Sequence, residues 1–280
     1  MTETFGARLR TALDTRGPLC VGIDPHSSLL TAWGLGDDVA GLDRFVGTVV
    51  AALADRVGVF KPQSAFFERF GSRGIAVLER TIADLRSAGA LVILDAKRGD
   101  IGSTVEAYAQ AYLDSASPLF SDAMTASPFL GYDSLEPLYA TAEKHGAGVF
   151  VLAFTSNPEG GSVQRALVPD GGGQTVGAAI LAAAARRNAG AEPLGSIGAV
   201  IGATVADIPF DLATLNGPVL APGLGAQGGT PDGLRAVFGD ALRNVLPSSS
   251  RELLRRGPDV SGLREAASRS IEECRAALGY

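Results

Sequence analysis

The sequence predicts an α/β protein, a closed (β/α)8 barrel of the TIM type, on three observations. Eight short β-rich runs alternate with stretches of helical periodicity along the chain. Most of these runs are continuously apolar, the pattern of parallel strands buried on both faces. The length, 280 residues, matches a barrel of ~250 residues with insertions. One domain over residues 1–280 is therefore expected, with an open, doubly wound sheet as the alternative.

The strand candidates are PLCVGIDP (18–25), VGVFKP (57–62), ALVILDAK (90–97), DAMTAS (122–127), GVFVLAF (148–154), IGAVIGAT (197–204), PVLAPG (218–223) and LRNVLPS (242–248). Between them, GIAVLERTIADLRSAG (74–89) is the best helix: Ile75, Leu78, Ile82 and Leu85 recur at three- and four-residue spacing, and Gly89 supplies a stop. Further helices are expected over 41–56, 103–115, 134–145, 175–188, 231–239 and 261–277. The polar, glycine-rich stretch 156–173 after the fifth strand reads as a mobile loop over the active face. The 36 glycines imply many tight turns or close ligand approaches.

Composition excludes several functions. Hydrophobic residues make up 46% and charged residues 19%, so there is ample material for a core and no case for disorder. The net charge of −6 supplies no uniform positive field for nucleic acid, although a local pocket could hold a small anion. Cys20 and Cys274 are far apart and form no CxxC motif, against a disulfide scaffold, a zinc site or a redox dithiol. Cys20, inside the first strand, reads as a small core residue. The opening MTETFGARLRTALDTRG lacks the apolar centre of a secretory signal, and no run of ~18 apolar residues occurs. A soluble, cytoplasmic protein is expected, with no membrane partner.

Barrel chemistry lies at the C-terminal ends of the strands. There the first strand ends in Asp24 and the second in Lys61. The third ends in Asp95 and Lys97 with Asp100 beyond, and the fourth in Ser127. Two cations and three anions are expected to converge on one mouth. Asp95 and Lys97, two apart, point to the same side of a strand. A solvated salt-bridge cluster is the bland alternative, disfavoured by the buried strand leading into it.

APGLGAQGG (221–229) matches a dinucleotide fingerprint literally, but it follows the seventh strand instead of opening a first βαβ unit, and Asp240 is the only acid near the required distance. A glycine loop after strand 7 fits a barrel phosphate site, its backbone N–H groups facing the anion. PSSSR (247–251) places hydroxyls and the Arg251 guanidinium beside it. His26 and His145 are the only histidines and lie apart, which excludes a histidine-rich metal site and makes a histidine-based nucleophilic triad hard to build. No nucleophile elbow or Walker loop is present.

DAKRGDI (95–101) with PGLGAQGG (222–229), Asp24 in GIDP and Lys61 in FKP resembles the orotidine 5′-phosphate decarboxylase family. The extra loop length is similar to its longer bacterial branch. The resemblance implies that Lys97 donates a proton to C6 of the pyrimidine as carbon dioxide leaves, and that Asp95 lies against the substrate carboxylate. Asp100 completes an alternating Asp–Lys array but reaches into the neighbouring subunit's site, together with Ile101 and Thr104, which implies a homodimer. Asp24 and Lys61 hold the ribose hydroxyls, Ser127 touches the pyrimidine, and Pro222, Gln227 and Arg251 belong to the phosphate end. The family commonly has glycine before that arginine, where this chain has Ser250.

The same resemblance implies orotidine 5′-phosphate as substrate, UMP as product, no cofactor and no metal. Electrostatics must then stabilise a C6 carbanion that has no adjacent electron sink. Two other readings stand beside this one: a magnesium-dependent sugar-phosphate decarboxylase or synthase of the same barrel group, and a catalytically silent nucleotide-binding protein.

Overall fold

Eight parallel strands close into a barrel in chain order in the computed structural model of the chain, which describes residues 3–169, 171–225 and 228–280, without the side chain of Pro231. In order, the chain runs α1 (Phe5–Arg16), β1 (Cys20–Ile23), α2 (Ser27–Ala32), α3 (Val39–Leu53), β2 (Val59–Pro62), α4 (Ser64–Glu68), α5 (Gly71–Ser87) and β3 (Leu91–Arg98). It continues with α6 (Gly102–Leu113), β4 (Ala123–Ala126), α7 (Glu136–His145), β5 (Gly148–Phe154), α8 (Gly161–Gln164), α9 (Val176–Arg187) and β6 (Ile197–Ile201). The last elements are β7 (Val219–Pro222), α10 (Pro231–Phe238), β8 (Val245–Ser249), α11 (Arg251–Leu254) and α12 (Val260–Leu278). β8 pairs back onto β1 through Cys20 with Ser248, so no sheet edge remains open. No helix is long and apolar enough to cross a membrane among the described residues.

Two apolar layers follow from the two-residue alternation of the strands. Cys20, Val59, Leu91, Ile93, Ala123, Phe150, Val200, Leu220 and Leu246 point into the barrel and fill it. Their alternates face the surrounding helices in a second, larger core. In α5 that face is Gly74, Val77, Leu78, Ile82 and Leu85, with Ile75 only half-buried. Gly74 lets the helix lie directly on the Phe67 carbonyl, where a side chain would collide.

The opening segment, read from sequence only for what it lacks, is the floor of the barrel. Thr4 caps α1 by accepting the Ala7 N–H, and Phe5, Leu9 and Leu13 fall on one face at four-residue spacing. All three join the inner core, where Phe5 meets Phe150 edge to face with ring centroids 5.8 Å apart. The barrel is thus sealed at its N-terminal end, and chemistry is confined to the other.

Two expectations need correction. The sixth unit has no α-helix: between β6 and β7 only the 3₁₀ turn Leu212–Leu215 forms, because Pro209 and the left-handed residues Asp207 (φ 54°) and Asn216 (φ 45°) interrupt the segment. Stretch 156–173 is not a bare loop either. It contains the 3₁₀ turn Pro158–Gly160 and α8, and the Gln164 amide folds back to accept the Thr155 N–H and donate to its hydroxyl.

Candidate active site

The inner-facing alternation that fills the barrel also builds its mouth. Two residues beyond Cys20, Val59, Ile93 and Ala123 stand Gly22, Lys61, Asp95 and Thr125. Asp24 and Ser127 follow the ends of β1 and β4, and Lys97 stands in an irregular stretch of β3. Gly22 is required here. A Cβ on it would lie 2.8 Å from the Ser250 Cβ and 3.5 Å from Asp24 Oδ1.

Asp95 is the hub. Its Oδ2 accepts from Lys61 Nζ at 2.9 Å, and its Oδ1 accepts from Lys97 Nζ at 2.6 Å and from Thr125 Oγ1 at 2.8 Å. Lys61 Nζ also stands 4.0 Å from Asp24 Oδ1. The order Asp24, Lys61, Asp95, Lys97 therefore alternates in charge across three adjacent strands. Lys61 and Asp95 are 5% and 6% exposed, so this is no solvated surface cluster. The Lys97 side chain is 44% exposed, which puts its ammonium where a ligand can reach it.

Burial favours the neutral form of each buried partner, and their mutual attraction outweighs it. Burial alone would raise the Asp95 carboxyl, but the Lys61 and Lys97 ammonium groups hold it well below the carboxylate range. Burial alone would lower Lys61, but Asp95 and Asp24 hold it above its ordinary value. Asp95 therefore contributes stability that is complete above its unfolded value of 3.8 and disappears as pH falls through the depressed folded value. Lys61 contributes below 10.5 and loses its contribution only as pH rises through its raised value. Urea denaturation should find Asp95→Asn about 3–5 kcal/mol less stable than wild type at pH 7. The gap should narrow on acidification below pH about 4; a gap that widens there contradicts this assignment.

The remaining expected residues divide into two groups. Asp24, Lys61, Pro222 and Arg251 line one cavity of about 100 Å³ with His26, Gly223, Leu224, Ser248 and Ser250. Asp100 does not join the array: its carboxylate accepts the adjacent Ile101 N–H at 2.8 Å and pairs with no lysine among the described residues. Three anions therefore do not converge within one chain. Ile101, 61% exposed, and Thr104 stand at the surface. Ser127 is half-buried just past β4, its N–H donating to the Arg98 carbonyl at 2.8 Å. Gly99 allows this approach, since a Cβ there would sit 2.1 Å from the Ser127 carbonyl oxygen.

The expected phosphate loop departs from its reading. Gln227 lies outside the described residues. Gly223, Gly225 and Gly228 adopt positive φ, and the N–H groups of Gly225, Gly228 and Gly229 bond to carbonyls of the same loop, so these three do not face an anion. In PSSSR, Ser248 and Ser249 belong to β8 and are buried, while Ser250 precedes α11 and Arg251 opens it. Two buried oxygens at this end, Asp24 Oδ1 and Ser250 Oγ, have no hydrogen-bond partner among the described residues. Such atoms are the groups a polyhydroxylated ligand would satisfy.

Thr125 was not singled out by the sequence reading, His26 entered it only as one of two isolated histidines, and Ser248 and Ser250 entered it only as hydroxyls of PSSSR. The alternation that places Lys61 and Asp95 identifies Thr125 and Ser248 once Ala123 and Leu246 are set in the inner core. Burial and the Arg251 and Arg69 cations lower His26 below its ordinary value, against the pull of Asp24. The imidazole beside Arg251 is therefore neutral at pH 7.

A family model described as "Orotidine 5'-phosphate decarboxylase / HUMPS family" matches residues 17–266. The chain belongs to this family. Among its relatives, the orotidine 5′-phosphate decarboxylase of Streptomyces coelicolor is 65% identical over 277 residues, covering 99% of both chains. That of Salinispora arenicola is 62% identical over 276 residues, again covering 99% of each. A crystal structure of a Streptomyces avermitilis protein superposes with a TM-score of 0.97 at 64% identity, covering 100% of this chain and 97% of the other. Within the matched region, DAKRGDI (95–101) is the segment from which Asp95 and Lys97 enter the array and Asp100 turns away from it.

Proposed function

We propose that the chain, acting as one barrel domain, decarboxylates orotidine 5′-phosphate to UMP and carbon dioxide in pyrimidine biosynthesis, without a cofactor. The observation that carries this reading is the Asp24–Lys61–Asp95–Lys97 array, set at the barrel mouth of a chain 65% identical to a decarboxylase of that name.

The C6–carboxylate bond breaks and leaves its electron pair on C6. The Lys97 ammonium stabilises that charge, gives C6 one proton, and as neutral amine regains a proton from solvent. Asp95 lies against the departing carboxylate, kept ionised by Lys61 and Lys97. Asp24 and Lys61 hold the ribose hydroxyls, Ser127 meets the pyrimidine, and Pro222, Gln227 and Arg251 take the phosphate end. The shared cavity of Asp24, Lys61, Pro222 and Arg251 supports the sugar-phosphate part of this assignment.

The active form is a homodimer in which Asp100, Ile101 and Thr104 complete the partner's site. Two observations support this: Asp100 joins no ion pair among the described residues, and Ile101, Phe129 and Leu130 expose 61%, 77% and 54% of their surface on the loops after the adjacent strands β3 and β4. Exposed apolar groups on neighbouring loops suit a self-complementary interface. The enzyme is read as cytoplasmic, with no nucleic-acid or membrane partner, and the net charge of −6 supplies no uniform positive field for a polyanion.

The test is product analysis. Incubation with orotidine 5′-phosphate should yield UMP and carbon dioxide in equal amounts, whereas orotidine without the phosphate should lose most of kcat/KM, because remote contacts orient the reacting ring. Unchanged orotidine 5′-phosphate would overturn the reading.

A further inference from the structure

The β3–β4 ladder slips where Asp95 and Lys97 sit. Between the pairs Leu94 with Met124 and Arg98 with Ala126, β3 carries two more residues than β4. Lys97 adopts φ 47°, in the left-handed region that a non-glycine residue rarely occupies. Asp95 and Lys97 thus come together through a bulge, where the sequence had suggested the plain alternation of a regular strand. A strained residue of this kind persists only where its surroundings hold it.

The Thr125 hydroxyl is placed to do so. The Lys97 backbone N–H, displaced from the ladder by the bulge, donates to Thr125 Oγ1 at 3.0 Å. An amide can only donate, so the hydroxyl oxygen accepts there and its single proton is directed to Asp95 Oδ1, 2.8 Å away. Thr125 is 1% exposed, and its bond to Asp95 is buried. One side chain therefore ties the backbone of the proton donor to the carboxylate that pairs with its ammonium.

We propose that Thr125 is a positioning residue for the decarboxylation, fixing the Lys97 backbone and the Asp95 carboxylate in one geometry. This rests on the decarboxylase reading above. A hydroxyl that only satisfies a buried N–H would affect stability; one that positions the pair affects kcat.

The chain contains three lysines, Lys61, Lys97 and Lys144, so ¹⁵N-lysine labelling gives a spectrum in which Lys97 is assigned with Lys97→Arg. Thr125→Val keeps the shape and removes the hydroxyl; Thr125→Ala serves if the valine variant does not fold. Expected are a roughly ten- to hundredfold fall in kcat for orotidine 5′-phosphate, KM and UMP affinity close to wild type, and faster hydrogen exchange at the Lys97 amide. Thr125→Ser should restore both kcat and the slow exchange. Wild-type kcat in Thr125→Val, or parallel losses of kcat and UMP affinity that serine does not rescue, would overturn the proposal. If the wild type itself fails to turn over, the decarboxylase reading falls. The Lys97 signals then still decide the positioning role, and their being unchanged in Thr125→Val overturns it.

Discussion

Lys97→Ala protein is expected to lose turnover of orotidine 5′-phosphate by at least about 10⁴-fold while still binding UMP. In the proposed mechanism two contributions disappear together: the cation that stabilises charge at C6 and the acid that delivers the proton. Neither can be replaced from nearby. Lys61, the other ammonium of the array, is buried and bonded to Asp95 at 2.9 Å. UMP lacks the carboxylate, and in the proposed reading its sugar-phosphate end enters the cavity of Asp24, Lys61, Pro222 and Arg251, which Lys97 does not line, so the variant should bind it. Single-turnover kinetics and UMP titration separate the two effects. Turnover within about tenfold of wild type would contradict the role of Lys97.

Mixing two inactive proteins should restore activity. If each site takes Lys97 from one subunit and Asp100 from the other, a dimer of one Lys97→Ala chain and one Asp100→Ala chain has one intact site and one doubly defective site. Random exchange makes half of the dimers mixed, so about one quarter of the wild-type rate is expected from an equimolar mixture. The physical ground is the position of Asp100: its carboxylate accepts the Ile101 N–H and joins no lysine among the described residues. The rate is measured after subunits are exchanged by dilution and reconcentration. A mixture no faster than its two components would contradict shared sites.

Much of this was legible in the sequence because a buried parallel strand and its polar end are both written locally. LVIL leading into DAK announces a strand whose charged end emerges at a mouth, and the structure places Asp24, Lys61, Asp95 and Lys97 there as one array. GVFVLAF spans 148–154 in both sequence and structure.

What escaped depends on partners distant in sequence. The floor helix declares itself only when Phe5 meets Phe150. Thr125 looks like any strand threonine until the β3 bulge brings the Lys97 N–H to it. The sequence placed Asp95 and Lys97 together correctly, but by the alternation of a regular strand, whereas the left-handed backbone at Lys97 belongs to the bulge. The phosphate loop was read as a row of free N–H groups; three of them close hydrogen bonds within the loop.

The most direct measurement is the loss of orotidine 5′-phosphate absorbance by wild-type protein in EDTA, with UMP quantified at the end point. A metal-free decarboxylase converts all substrate to UMP at the same rate with and without the chelator. No conversion in EDTA, with activity returning on added magnesium or appearing only with sugar phosphates, would contradict the account and favour the magnesium-dependent chemistry of related barrels.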